Sequence, residues 1–177
     1  MSQGGGLREL DAGVCRLRGW RRGDIEPLAA IANDRTIWEN LRDRFPHPYT
    51  RDDAADWVAA RLAAPFEPIY AIDVDGALAG SVGLDPRTDI ERVSSEIGYW
   101  LGVDFRGRGI ATAAVRTLTR HAHDLGFTRV YATAFAENGA SRRVLEKAGY
   151  DFEGIMRRAA IKAGVIRDMA LYASTVD

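Results

Sequence analysis

The chain is poor in the residues that carry redox, metal and membrane chemistry. Cys15 is its one cysteine among 177 residues, which excludes an intrachain disulfide, and nothing points to an oxidising compartment. Cys15 lies between Val14 and Arg16 in a segment that reads as a first strand, where a small buried residue is all the position asks for. There are three histidines. His121 and His123 are two apart on a predicted helix and so do not share a face, and His47 stands alone in a loop, so no metal site is expected. No stretch approaches the roughly 20 apolar residues of a membrane span. Met1 to Asp11 is polar and glycine-rich with no apolar centre, unlike a secretory signal. A cytoplasmic location is the resulting expectation. The formal net charge is -1, so bulk charge attracts neither nucleic acid nor an anionic membrane, and neither is expected as a partner. An anionic ligand has to be held by local groups.

What is present suits one globular domain. Apolar residues make up 46% of the chain and charged residues 28%, enough to build a core and too apolar for disorder. Met1 to Glu9 reads as a flexible tail and residues 10–177 as a single domain with no internal repeat. Val14 to Trp20 reads as a strand. Asp24 is placed to cap a short helix through Leu28, Ile31 and Ala32, and Ile37 to Leu41 reads as a second one. Pro46 and Pro48 keep the next segment out of a helix. Thr50 is a good N-cap for a helix carried by Ala54, Trp57, Val58 and Leu62 and ended by Pro65. Ile69 to Val74 and Ala77 to Leu84 read as a hairpin turning at Asp75-Gly76, and a third strand runs from about Glu91 to Val103. Ala111, Ala114, Val115, Leu118, Ala122 and Leu125 share one face of the strongest helix, which Gly126 stops. A strand over Thr128 to Phe135, an Asn138-capped helix ending at Gly149 and a last hairpin turning at Ala163-Gly164 complete the chain. Antiparallel strands followed by a strand–helix–strand–helix–strand run predict an α+β fold with a mixed, mainly antiparallel sheet flanked by helices.

The sharpest local feature is Val103-Asp104-Phe105-Arg106-Gly107-Arg108-Gly109-Ile110-Ala111, which joins a strand to a helix. Glycines let backbone approach a ligand closely, the free N–H groups of a helix start bind anions, and Arg106 and Arg108 add positive charge. The chemistry is that of a phosphate or pyrophosphate cradle, against the alternative of a turn that merely needs glycines. No Gly-Lys-Ser/Thr follows, so it is not a P-loop. Thr112 stands where a dinucleotide fingerprint needs Gly or Ala.

Arg106-x-x-Gly109-x-Ala111, preceded by Glu96-Ile97-Gly98-Tyr99-Trp100-Leu101, resembles the acyl-CoA-binding motif of the GNAT acetyltransferase superfamily. The block from Asn138-Gly139-Ala140-Ser141 to Ala148-Gly149-Tyr150 resembles that family's second motif. Arg16-Leu17-Arg18 and Phe45-Pro46-x-Pro48-Tyr49-Thr50 are similar to its RimJ/RimL-type branch, which acetylates protein N-terminal amines and includes enzymes acting on small amines. The resemblance covers roughly residues 14 to 174. It implies a GNAT-like fold and an N-acyltransferase that moves an acetyl group from acetyl-CoA to a primary amine. The amine is expected to be a protein N-terminal α-amine. The alternatives are a small amine such as an antibiotic, or a non-catalytic acyl-CoA-binding module.

Such a reaction has to deprotonate the amine, which at neutral pH costs roughly 4 kcal/mol for a lysine and about 1 kcal/mol for an α-amine. Glu96 is the candidate base. Strand alternation puts it on one face with Gly98, Trp100 and Gly102, and Gly98 leaves open space beside it. The competing reading is a strand glutamate paired with a cross-strand arginine. The resemblance implies that this strand splays from its neighbour near Leu101. Backbone N–H groups of Leu101 and Val103 would then meet pantetheine and the thioester oxygen, while Arg106, Gly107, Arg108, Gly109, Ile110 and Ala111 hold the pyrophosphate. It also implies that Asn138 and Ser141 line the pantetheine arm. The family's usual acid is a tyrosine seven residues after the asparagine; Leu145 stands there. Ser141 then remains as a partner for the leaving sulfur, or as an ordinary first-turn capping residue. The resemblance places Trp38, Phe45, Tyr49 and Trp57 where that family shapes its acceptor cleft; core packing is the other reading of these aromatics. Glu39, Asp43, Asp52 and Asp53 give either an acidic bias for a cationic amine or a solvated surface. Arg157, Arg158, Lys162 and Arg167 make the last hairpin basic, which solvated charge explains, or contact with an acidic polypeptide, a ribosomal surface or a homodimer partner.

Overall fold

Two mostly apolar runs, separated by one Asp-Gly pair and buried on both faces, build the hairpin of β3 (Ile69–Val74) and β4 (Ala77–Pro86), with Asp75 and Gly76 both at positive φ. The computed structural model describes residues 7–64 and 67–177. In it this hairpin joins β1 (Leu10–Asp11), β2 (Arg16–Arg18), β5 (Ser94–Leu101), β6 (Arg129–Phe135), β7 (Asp151–Lys162) and β8 (Val165–Thr175). They form one sheet of 8 strands in the order β1-β2-β3-β4-β5-β6-β8-β7. Only β5 and β6 pair in parallel, so the sheet is mixed and mainly antiparallel, as the sequence predicts.

Five α-helices flank it: α1 (Ile25–Ala32), α2 (Arg35–Trp38), α3 (Arg51–Ala63), α4 (Ile110–Asp124) and α5 (Gly139–Ala148). Alternation along β3 sends Tyr70, Ile72 and Val74 to the face covered by α4 and α5, where they pack with Val115, Leu118 and Leu145. Ala71 points to the other face, under Leu28 of α1 and Val58 of α3. The sheet therefore has helices on both sides, and the two faces of β5 serve two different layers.

Local chemistry explains most element ends. The Thr50 hydroxyl accepts from Asp53 N–H while Asp53 accepts from Thr50 N–H, the expected cap of α3. Pro65, expected to end α3, lies outside the described residues; the helix stops at Ala63. Asp24 sits at the N-cap position of α1, but its carboxylate does not cap the helix. Instead it takes two hydrogen bonds from Arg18, each 2.8 Å, while Arg18 Nε donates to Asp73 at 2.7 Å. Arg18 is only 4% exposed, and a buried cation needs such partners. That triad ends β2 early, at Arg18 rather than Trp20. The third strand is likewise shorter than expected, Ser94–Leu101, because short 3-10 turns flank it. The second short helix runs Arg35–Trp38 rather than Ile37 to Leu41, because Asp34 caps it by accepting from Thr36 and Ile37 N–H. Leu125 is exposed, not on the buried face of α4, because it is the C-cap residue. Cys15 is buried in the core, and burial pushes its thiol up to about 11, which leaves it unreactive at neutral pH. Residues 1–6 of the expected tail lie outside the described residues, while Leu7 packs against the core.

Candidate active site

β5 and β6 are paired at Ser94↔Arg129, Ser95↔Val130 and Glu96↔Tyr131 and then part, although β5 continues to Leu101 and β6 to Phe135. The splay begins directly after Glu96, earlier than the expected point near Leu101. On its other side β5 stays paired with β4 as far as Leu101, and Gly102 N–H donates to Ala79 O at 2.8 Å. Amides alternate along a strand, so Tyr99 and Leu101 N–H point into the gap. A cavity of about 780 Å³ occupies it, lined among others by Tyr99, Ala132, Ala134, Asn138, Ser141 and Leu145.

β5 continues through Gly102 and a short turn, Val103–Phe105, into the glycine-rich loop. Gly107 and Gly109 hold φ of 73 and 76, a conformation that disfavours any side chain. Gly109 is the N-cap of α4 and brings no capping side chain. The first intrahelical bond here is Ala113 N–H to Gly109 O at 3.0 Å, so the amides of Ile110, Ala111 and Thr112 have no carbonyl of their own helix to meet. A Cβ added at either glycine would meet nothing within 4 Å. Open space, free amides and a helix dipole fit a phosphate. Arg106 reaches across to the Thr36 hydroxyl at 3.1 Å, and Arg108 lies over the Phe105 ring. Val103 lies in the short turn between β5 and this loop. The residues present therefore fit a thin-armed ligand with a phosphate end, such as acyl-CoA.

Glu96 lies on the opposite face, at the point where the strands part, and is 9% exposed. Its Oε1 accepts from Arg42 at 2.5 Å and from the Thr133 hydroxyl at 3.1 Å, and its Oε2 accepts from Arg87. The pairing with arginine that competed with the base reading is thus present, twice over. It holds the carboxylate at the mouth of the gap, beside the open space that Gly98 leaves.

On the other side of the gap Asn138 Oδ1 accepts from Ser141 N–H at 3.1 Å and caps α5. The Ser141 hydroxyl does not cap the helix. It lies 2.8 Å from the Tyr99 hydroxyl, which also donates to Ser141 O at 3.1 Å. Burial pushes the Tyr99 phenol up to about 12, so it stays protonated and can only donate or accept. Leu145 is fully buried in the core.

The sequence from Cys15 to Asp151 matches the family described as "Acetyltransferase (GNAT) domain". The chain belongs to the GNAT acetyltransferase family. It is 31% identical over 113 residues to the ribosomal-protein-serine acetyltransferase of Escherichia coli (strain K12), covering 63% of each. It spans about half the length of two Bacillus subtilis relatives, 54% and 52%. Among solved structures, Mycobacterium smegmatis RimJ in complex with CoA-disulfide is 28% identical with a TM-score of 0.81, over 97% of this chain and 86% of that one. A RimL protein in complex with coenzyme A reaches 0.84 at 21% identity, over 96% of this chain and 99% of that one, a likeness of fold.

Within this GNAT domain Glu96, Asn138 and Ser141 line one cavity, while Leu101, Val103 and the loop from Arg106 to Ala111 follow along the chain from β5 and are not part of its lining. Sequence reasoning missed Tyr99, Arg42 and Arg87. Tyr99 alternates out of phase with Glu96, which was a usable signal; Arg87 stands just past β4, opposite Ser94, and is the cross-strand arginine of the competing reading, whereas Arg42 comes from a distant loop and gave no signal. Lys162 corrects the reading of the last hairpin as solvated charge. It is 2% exposed, lies over the Trp38 ring at 4.1 Å and bonds Asp43 at 2.9 Å, closing the α2 segment onto β7. His123 bonds Phe127 O and the Ser174 hydroxyl. Among the described residues no cluster could hold a metal, and no helix is long and apolar enough to cross a membrane.

Proposed function

We propose that this GNAT domain transfers the acetyl group of acetyl-CoA to a primary amine, and that the amine is a protein N-terminal α-amine, in the cytoplasm. The observation that carries it is the parting of β5 and β6 between a helix start with free amides and a buried carboxylate. Acetyl-CoA supplies an activated thioester. The loop from Arg106 to Ala111 binds its pyrophosphate through amides and the dipole of α4. Leu101 N–H, fixed by the β4–β5 ladder, faces the thioester oxygen and stabilises the charge that develops there, with Val103 beside it. Asn138 and Ser141 line the pantetheine arm. Glu96 takes the amine proton directly or through water; an α-amine needs that help less than a lysine does, since its deprotonation costs about 1 kcal/mol at neutral pH. Attack is direct, within a ternary complex and with no acyl-enzyme; the one thiol of the chain, Cys15, is buried in the core and does not line the gap. The relationship to a ribosomal-protein-serine acetyltransferase supports a protein acceptor.

The experiment is an acceptor screen with acetyl-CoA, read by mass spectrometry. Peptides with free N-termini should gain one acetyl group, and the same peptides with blocked N-termini but a lysine should not. Acetylation of small amines alone would end the protein-substrate reading. If no acceptor of any kind gives CoA release, only a binding module remains.

Tyr99 acts through Ser141. With Leu145 in the usual acid's place, the Ser141 hydroxyl donates to the departing sulfur while the Tyr99 phenol, turning its one proton from Ser141 O to Ser141 Oγ, holds it in that orientation. A thiolate with a pKa near 8.5 is far too weak a base to take the phenol proton itself. Tyr99→Phe should lower kcat about 3- to 10-fold, the worth of one hydrogen bond, and leave acetyl-CoA affinity and the alkaline limb of the pH profile in place. In a Ser141→Ala background the same change should cost nothing further. An additive loss would place Tyr99 outside this pair.

A further inference from the structure

A second cavity, of about 470 Å³, lies on the Glu96 side of the sheet and shares Leu41, Arg42, Glu96, Gly98 and Tyr99 with the larger one. Its floor is made by an absence. Gly98 of β5 lies directly opposite Gly83 of β4, and Gly83 opposite Ile69 of β3. Residues paired in this way put their side chains on one face, so the sheet under α1 and α3 is bare at Gly98, where a Cβ would meet nothing within 4 Å, while the Ile69 side chain lies over Gly83, 3.0 Å from where a Cβ would stand. Ile69 closes the far end. The roof and walls are aromatic: Phe45 and Tyr49 lie 4.9 Å apart, Phe45 and Trp100 5.7 Å, and Trp57 completes the wall.

Several of the polar groups around it are already engaged, while Arg44 and Asp56 line its rim. The Ser81 hydroxyl donates to Tyr70 O at 3.0 Å, Asp53 caps α3 through Thr50, and Asp85 pairs with Arg87. Burial pushes the Tyr49 phenol up to about 12, so that wall stays uncharged. Such a pocket recognises by apolar shape.

Resting on the reading of Glu96 as the point where the amine reacts, we infer that the acceptor carries a bulky apolar group next to its amine, and that this group fills the aromatic pocket. For a protein acceptor this means a leucine, phenylalanine or similar first residue rather than serine or alanine. A small head would leave the pocket to water, and each methylene seated in an apolar site is worth about 10- to 200-fold in specificity.

The test is CoA release by the full chain with acetyl-CoA and four peptides that differ only in the first residue: Phe, Leu, Ser or Ala. Ethanolamine and 2-phenylethylamine serve as small-amine probes. The expected kcat/KM for Phe and Leu exceeds that for Ser and Ala by at least about tenfold. Equal or better use of Ser and Ala overturns the inference and leaves the N-terminal reading standing. Turnover of 2-phenylethylamine over ethanolamine, with no peptide used, supports the inference and ends the protein-substrate reading. No turnover with any acceptor overturns both. Gly98→Val locates the effect, because a Cβ there meets nothing within 4 Å and its backbone is not left-handed. It should bring the Phe-to-Ser ratio down at least about tenfold. An unchanged ratio would mean that the bulky group sits elsewhere.

Discussion

Gly109→Trp is expected to weaken acetyl-CoA binding on the order of 100-fold, measured by calorimetric titration. Two or more charge-assisted hydrogen bonds from the loop amides are at stake, each worth about 1.5–3 kcal/mol, and 1.4 kcal/mol is tenfold in affinity. The indole would occupy the open space in front of the α4 amides, where nothing lies within 4 Å of a Cβ. Gly109 also holds φ of 76, so any side chain strains the backbone. Gly109→Ala separates the two effects, since it carries the strain without the bulk. Binding close to wild type in the alanine variant and lost in the tryptophan variant is the predicted pattern. Equal affinity in wild type and Gly109→Trp would mean that the loop is a turn and not a cradle.

Glu96→Gln should lower kcat by about 100-fold or more, within the roughly 10²–10⁴ that a positioned base contributes. Acetyl-CoA affinity should be unchanged, because Glu96 lies across the gap from the loop. The amide keeps the shape of the side chain and can still accept from Arg42 and the Thr133 hydroxyl, so gross misplacement of the α2 segment is not expected. A rate within about threefold of wild type, less than one ordinary hydrogen bond is worth, would make Glu96 a structural partner of Arg42 and Arg87 only. The loss should grow when a lysine-like amine replaces an α-amine, since the proton to be removed is then held about 3 kcal/mol more tightly.

Local signals were legible wherever the cause is local. Thr50 with Asp53, Asn138 with Ser141, Asp75-Gly76 and Ala163-Gly164 each satisfy backbone groups within a few residues, and each lies where the sequence puts it. The glycines of the loop before α4 belong to the same class, because positive φ and an uncapped helix start are properties of one short segment. Asp24 shows where this stops. Its spacing suits a cap, yet a buried arginine from another strand takes its carboxylate, and the energy of pairing that charge outweighs one helix amide.

By itself the sequence determined the fold class, the order of nearly every element and the glycine-rich turn that opens α4. All of these follow from apolar periodicity, turn residues and capping, which act over one or two turns of chain. Tertiary structure alone decided what surrounds Glu96, where the strands part, that Tyr99 meets Ser141, and that Lys162 is buried against Trp38. Those partners are far apart along the chain and meet only through strand register and helix packing. The apolar pocket has the same origin: Gly83 and Gly98 are unremarkable singly, and only the pairing of β4 with β5 sets them side by side.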